Sequence, residues 1–338
     1  MSFTFEKLLN EDLVKKAEYF DTQDFVRVHH SRRPDVDLSA KWGHQPFFLP
    51  SRHVDSVEKI EGFEVRHEDV YVLGFPKTGT TWTQEMVYQI CNDLIFEREK
   101  CAELYERSPY LEWGSIFSFK NNTENMKSIA KLPSPRVIKS HLAAPLLPKG
   151  MWTVKPKIVY VGRNIKDTAI SYYHLYRNVF GYKKTLEDFL EAFLEDAIIF
   201  GPLDAHMSDF WNMKDEENIF FITYEDLKRD LPGMIRKTSS FLGKSLTDQQ
   251  VKSLADHLSF GNMANNESVN FDGRLDALST LTKADRDSTF KFMRKGKIGS
   301  FREEMTPEMI SKYDKWIKER NAEFKRDPEL LNILLAQK

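Results

Sequence analysis

Lys77 and Gly79, within Pro76-Lys77-Thr78-Gly79-Thr80-Thr81-Trp82, have the residue types and spacing of a loop that grips an anion. Val70 to Phe75 before it is apolar, β-branched and aromatic, which predicts a buried strand. After it, Trp82, Met86 and Ile90 recur at helical spacing. A strand, a tight turn and a helix in that order leave the first amides of the helix unpaired and pointing outward. The glycine lets a ligand approach the backbone and the lysine adds charge, so the segment suits phosphate or sulfate and points to a nucleotide.

The loop differs from the triphosphate-binding pattern G-x-x-x-x-G-K-[ST], because Lys77 precedes the only loop glycine. The next apolar strand, Lys157 to Val161, runs into Gly162-Arg163-Asn164 instead of the aspartate that would hold magnesium. Organic cations in place of a metal are therefore expected around the anion. Arg163 falls at the carboxyl edge of the predicted sheet, where open α/β sheets bind ligands. Taken alone, the loop also reads as an ordinary helix-capping turn, and Arg294-Lys295-Gly296-Lys297 as a solvated basic turn.

Four ordered motifs between residues 70 and 300 together resemble the cytosolic sulfotransferase family. Those enzymes move a sulfuryl group from 3'-phosphoadenosine 5'-phosphosulfate (PAPS) to small alcohols, phenols or amines, leaving 3'-phosphoadenosine 5'-phosphate (PAP). Pro76 to Trp82 resembles the 5'-phosphosulfate loop, and Lys139-Ser140-His141-Leu142 the catalytic segment. Arg163 to Asp167 with Ser171-Tyr172-Tyr173-His174 is similar to the 3'-phosphate segment, and Phe292-Met293-Arg294-Lys295-Gly296 to the C-terminal basic loop.

The resemblance implies PAPS as donor, no metal, and a role for each residue. Lys77, with Thr78, Gly79, Thr80 and Thr81, would hold and stabilise the transferring group, helped by Lys139. His141 would accept the acceptor proton, a task suited to a histidine near neutral pH. If the strand from Arg136 continues to His141, alternation puts residues 139 and 141 on one side. Ser171 would contact the 3'-phosphate and restrain Lys77 until an acceptor binds. Arg163, Met293, Arg294, Lys295 and flexible Gly296 would close on the 3'-phosphate end, with Ser259 beside it and Trp82, Tyr224 and Phe260 around adenine. Two other readings stay open: a nucleotide kinase using Mg-ATP, and a non-catalytic binder of PAP or of a lipophile.

Tyr110 and Trp113 fall in the segment that lines the family's acceptor pocket, and Phe180 and Tyr182 follow the Ser171 helix. Such an aromatic slot suits a phenol, catechol, steroid or alcohol; with some alcohols the sulfate ester could eliminate to a dehydrated product. Phe271 to Asp285 is polar and reads as a lid. The sequence departs from the family at Gly299-Ser300-Phe301, at Leu258, and in the dimer motif, where Pro307 and Ser311 replace the usual valine and glutamate. Monomer and homodimer both remain open. The N-terminal region and the Tyr/Trp pocket look most like insect members.

These side chains need a scaffold that brings distant segments together. Strands are predicted at 70–75, 136–140, 157–162 and 219–224, and helices at 80–93, 166–179, 185–198, 203–213, 232–242, 247–256 and 307–321. The alternation predicts an α/β fold with a central, mostly parallel sheet and helices on both faces. Thr185, Thr247 with Gln250, and Thr306 with Pro307 supply helix-start signals. No linker or repeat interrupts the 338 residues, so one domain is expected over 1–338, with residues 1–60 wrapping the core.

A net charge of −2 with interspersed acids and bases gives no global attraction to nucleic acid or an anionic membrane. The start lacks a leader pattern and no apolar run reaches the roughly 18 residues of a span, so a cytosolic location is expected. Cys91 and Cys101 read as free thiols, with no metal site. His29 and His30 read as surface residues and His174 as a packing residue. Asn121-Asn122-Thr123 and Asn266-Glu267-Ser268 match the glycosylation pattern by coincidence.

Overall fold

The structure, a computed structural model, describes residues 3–19, 22, 24–96, 102–117 and 122–336; Cys101 and Asn121 lie outside them. Four strands, Val70–Leu73 (β4), Val137–Ser140 (β5), Lys157–Gly162 (β6) and Ile219–Thr223 (β7), form a parallel sheet in the order β5-β4-β6-β7. Leu73 pairs with both Ser140 and Tyr160, and Gly162 with Thr223, so all four strands end at one edge. Alternation along them feeds two cores. Tyr71, Leu73, Ile138, Ile158 and Tyr160 face one cluster, whereas Val70, Val72, Val137, Val159 and Val161 face the other.

The Thr80–Cys91, Leu231–Phe241 and Asp248–His257 helices cover the valine face, and Ile165–Val179, Leu186–Leu194 and Leu203–Asn212 cover the other. The predicted start signals operate locally. Thr185 and Thr247 complete capping boxes with Asp188 and Gln250, and the Thr306 hydroxyl accepts the Met309 amide ahead of the Pro307–Glu323 helix. Each such cap stabilises by about 1 kcal/mol. Just before β4 and β5, buried Asp69 and Arg136 pair through two hydrogen bonds of 2.8 and 2.5 Å, which locks the register of the strands carrying the site.

The N-terminal part contains an element that the sequence reading did not resolve. Phe3–Lys7 (β1), Phe25–His30 (β2) and Phe47–Pro50 (β3) form an antiparallel sheet whose Phe25, Phe47, Phe48 and Leu49 enter the larger core. Phe48 exchanges backbone hydrogen bonds with Phe200 and Gly201, both 2.8 Å, and so braces a loop that reaches the cavity described below.

His29 does pair at the surface with Glu6, at 2.7 Å. The surface expectation fails for His30, whose ring stacks on Phe47 with centroids 6.1 Å apart; burial drops its pKa to about 4. Within the Phe271–Asp285 stretch Asp272–Thr282 is a helix whose Leu275, Leu278 and Thr282 line the cavity, and the Thr282 hydroxyl donates to the Val179 carbonyl at 2.7 Å. Cys91 is a free thiol, and Asn266 caps a short helix by accepting the Ser268 amide. Among the described residues, no helix is long and apolar enough to cross a membrane.

Candidate active site

β4 stops at Leu73, two residues earlier than predicted, because the chain turns into the anion loop there. Gly79 caps the following helix at φ +106°, and a Cβ on it would meet the Tyr224 ring at 2.9 Å, so both conformation and space select glycine. Lys77 also has a positive φ of 70°, a conformation costly for a residue that carries a Cβ and common where function dictates geometry. Thr80 and Thr81 line the cavity with first-turn amides that have no intrahelical acceptor. Thr78 does not line it; its hydroxyl donates to Phe75 O at 2.7 Å and ties the loop from beneath.

A second basic group stands at the same sheet edge. Arg163, directly after β6, donates to Lys77 O at 3.2 Å and to Lys297 O at 3.1 Å, with its guanidinium 4.2 Å from the Tyr224 ring centre. It thereby stitches the loop to the C-terminal basic segment. Asp167, one turn into the next helix, accepts the Gly299 and Phe301 amides at 2.7 and 3.0 Å, which anchors the departing Gly299-Ser300-Phe301 sequence without the family's usual residues.

Met293, Arg294, Lys295, Gly296 and Ser171 line the cavity, as do Trp82, Tyr224 and Phe260. Gly296 packs so closely on Phe260 that a Cβ would sit 2.3 Å from the ring. Ser259 is not on the cavity wall; its hydroxyl caps the next helix by accepting the Asn262 amide, and beside Phe260 the wall is Leu258, whose carbonyl accepts the Trp82 indole N–H at 2.8 Å.

Lys139 and His141 line the same cavity, although β5 ends at Ser140 and strand alternation alone does not carry His141 there. Its backbone is instead held from both sides: the His141 amide donates to Glu112 Oε1 at 2.6 Å, and its carbonyl accepts His206 Nε2 at 2.9 Å. The ring is fixed by Nδ1, 2.5 Å from Gly74 O. A carbonyl can only accept, so the proton sits on Nδ1 and Nε2 keeps its lone pair. Burial, then the charge of Lys139, holds this imidazole well below the usual histidine range.

The two lysines share this environment. Burial, followed by repulsion from Lys139, Arg163 and Arg294, brings Lys77 down to about 7; burial brings Lys139 to about 8 despite nearby Glu112. Each ammonium faces an aromatic ring, Lys77 Nζ 3.9 Å from the centre of Phe292 and Lys139 Nζ 4.9 Å from that of Tyr110. Glu112 is fully buried, and burial lifts it to about 7 against the hydrogen bonds it accepts. Sequence reasoning passed over Glu112; its signal was an acid between Leu111 and Trp113 in an otherwise apolar run.

Behind this pair lies an apolar chamber. Tyr110, Trp113 and Phe180 line it, joined by Phe200, Phe271 and Phe292, which the sequence reading did not assign to it. Tyr182 is absent from the wall. The chain reverses through Gly181, at φ +70°, and the Tyr182 hydroxyl donates to Lys16 O at 2.9 Å within the packed core. With its mouth included the cavity encloses about 1670 Å³. The basic residues Arg163 and Arg294 and the aromatic residues Tyr110 and Trp113 line this one cavity, with His141 on its wall.

A sequence profile of the sulfotransferase domain matches residues 67–325. The chain belongs to the sulfotransferase family. It is 36% identical over 321 residues to luciferin sulfotransferase from Photinus pyralis, covering 90% of this chain and 85% of that protein. Identity to human sulfotransferase 1C2 is 33% over 264 residues, or 77% of this chain and 86% of the relative. The insect-like character thus agrees with a Photinus relative that is both more identical and aligned over more of the chain than the human one.

Among solved structures it resembles retinol dehydratase bound to androsterone and inactive PAP, with TM-score 0.81, 27% identity, and coverage of 95% of this chain and 96% of that one. Retinol dehydratase bound to retinol and PAP matches with TM-score 0.79 and 28% identity, over 95% and 97% of the two chains. The sulfotransferase family uses PAPS as donor, and the polar atoms of this cavity fit it. Thr80 Oγ1, Arg163 Nε and Arg294 Nε are buried with no protein partner, and all three residues line the wall.

Proposed function

We propose that this sulfotransferase transfers the sulfuryl group of PAPS to the hydroxyl of a neutral, lipophilic small molecule, with His141 Nε2 accepting the hydroxyl proton. When bound, PAPS supplies a sulfuryl group whose bond to the 5'-phosphate oxygen breaks as the acceptor oxygen bonds to sulfur. The first-turn amides at Thr80 and Thr81 and the charge of Lys77 hold the anionic reacting end, and Lys139 stabilises the charge that shifts during transfer. Arg163, Arg294 and Lys295 hold the distant 3'-phosphate, while Trp82, Tyr224 and Phe260 enclose the base. Ser171, on the cavity wall, contacts the 3'-phosphate side.

One observation carries the assignment of the base: Nδ1 of His141 is committed to Gly74 O, which leaves Nε2 unprotonated beside two cavity lysines. A depressed imidazole pKa keeps that nitrogen free of a proton at neutral pH. The chamber itself selects the acceptor class. Among the described residues that line it there is no carboxylate to pair with an ammonium group. The Tyr172 and Thr282 hydroxyls on the wall already donate to Ile199 O and Val179 O. A charged catecholamine is therefore disfavoured relative to a steroid-like or polyene alcohol or a plain phenol.

The test uses labelled PAPS with a panel of neutral alcohols, phenols and catecholamines, with products resolved into sulfate esters and dehydrated species. His141→Ala is expected to lower turnover by about 10²- to 10⁴-fold, the usual contribution of a general base, while PAP affinity stays within about twofold because the nucleotide clamps are untouched. Equal loss of PAP binding and turnover would remove His141 from the role of base. A preference for catecholamines would overturn the acceptor class.

A further inference from the structure

Glu304 pairs with the cations assigned to the donor's 3'-phosphate. Its carboxylate meets Arg294 Nη1 at 2.6 Å, Lys295 Nζ at 2.9 Å and His174 Nε2 at 2.5 Å. Arg294 and Lys295 line the donor cavity, whereas Glu304 does not. Glu304 thus pairs with two cavity-lining cations without lining the cavity itself. Burial pushes the Glu304 carboxyl up, but hydrogen bonds from His174 and Lys295 and the charge of Arg294 more than reverse this, so it is ionised throughout the neutral range. His174, read from the sequence as a packing residue, is the third arm of this cluster.

We propose that Glu304 is a counter-charge built into the donor clamp, a positioning residue that holds Arg294 and Lys295 ready for the 3'-phosphate and, by opposing that phosphate, limits how tightly the nucleotide is held. The proposal rests on the donor reading above. The phosphate then shares both cations with Glu304, and Lys295 also with Glu303 at 2.9 Å, a pair that the Glu304 variants leave in place. A phosphate bound by Arg294 and Lys295 would be held by the same cations that meet the Glu304 carboxylate at 2.6 and 2.9 Å, so like-charge repulsion in this half-buried site opposes it. The same contacts remove rotamer freedom from two long side chains before the nucleotide arrives. The balance suits a spent nucleotide that must leave after every turnover.

The experiment compares PAP with adenosine 5'-monophosphate, which lacks the 3'-phosphate, by titration calorimetry on the full-length protein and its Glu304→Gln variant. That substitution keeps the shape and a hydrogen-bonding oxygen while removing the charge. PAP affinity is expected to rise about tenfold in the variant, the scale of one screened like-charge contact, with adenosine 5'-monophosphate affinity unchanged within about twofold. Equal or weaker PAP binding by the variant overturns the proposal, as does equal tightening of both nucleotides. Glu304→Ala, expected to move PAP affinity in the same direction, serves if thermal melting shows that Glu304→Gln does not fold. Failure of the unmodified protein to bind PAP at all would overturn the donor reading itself, a result distinct from equal PAP affinity in protein and variant.

Discussion

Raising the pH from 7 to 9 should release PAP through one side chain, Lys77. Its ammonium is enclosed with Lys139, Arg163 and Arg294, and burial together with their repulsion places its pKa at about 7 in the empty site. At pH 8 only about one such lysine in eleven carries its proton. A bound polyanion favours the charged form, so binding must return the missing proton, about 0.9 per site at pH 8. The sign follows directly. Because the free protein loses the proton as pH rises and the complex keeps it, affinity falls with rising pH, by about fiftyfold between pH 7 and pH 9. The phosphate groups do not confuse this window, since their second ionisation lies near pH 6. Calorimetry in two buffers of different ionisation enthalpy reads both the affinity and the proton uptake. Lys77→Met should flatten the dependence and remove most of the uptake, leaving a smaller component from Lys139. A PAP affinity constant within about threefold from pH 7 to pH 9, with no buffer-dependent heat, would refute the argument.

Two further outcomes are expected. Arg163→Ala should weaken PAP by about tenfold to a hundredfold, the scale of losing hydrogen bonds from a charged group; it also frees Lys77 O and Lys297 O, so titration of PAP should show the loss even where acceptor binding is retained. Acid should draw stability from the fold through buried His53, which burial holds near pKa 4, because between pH 6.5 and 4 the unfolded chain takes up a proton that the native state refuses. That costs about 2 kcal/mol by pH 5. Glu112 and Asp209, lifted to about 7 by burial, act in the opposite sense, so the histidine is read by difference. Urea denaturation should show the unmodified protein losing about 2 kcal/mol more than His53→Gln between pH 7 and pH 5, and parallel losses would contradict it.

How much of the molecule could be read beforehand depended on whether the information was local. β4, β5, β6 and β7 announced themselves as short β-branched and aromatic runs, since strands buried on both faces need apolar side chains at every position. Thr185, Thr247 and Thr306 marked helix starts because a cap bonds to an amide three residues away. The N-terminal sheet was hidden. β1, β2 and β3 are separated by long segments, and β3 is held on its other side by Phe200 and Gly201, far along the chain. The end of β4 was overrun for a related reason: where the backbone turns away from the sheet into the loop, Phe75 is as apolar as the strand before it.

The amino-acid sequence by itself determined the chemistry available, a glycine-bearing loop with Lys77, the Lys139 and His141 pair, and basic residues at 163, 294 and 295. Those identities follow from short-range patterns, and the family carries them in a fixed order. Only the tertiary structure decided which nitrogen of His141 is free, because that depends on Gly74, 67 residues away in the chain. It also decided that the Tyr182 hydroxyl donates to Lys16 O and the Ser259 hydroxyl accepts the Asn262 amide, that Glu112 accepts the His141 amide, and that Glu304 pairs with Arg294 and Lys295. The physical reason is the same in each case: a side chain's protonation state and direction are set by partners that burial brings within hydrogen-bonding distance, and sequence spacing carries no record of them.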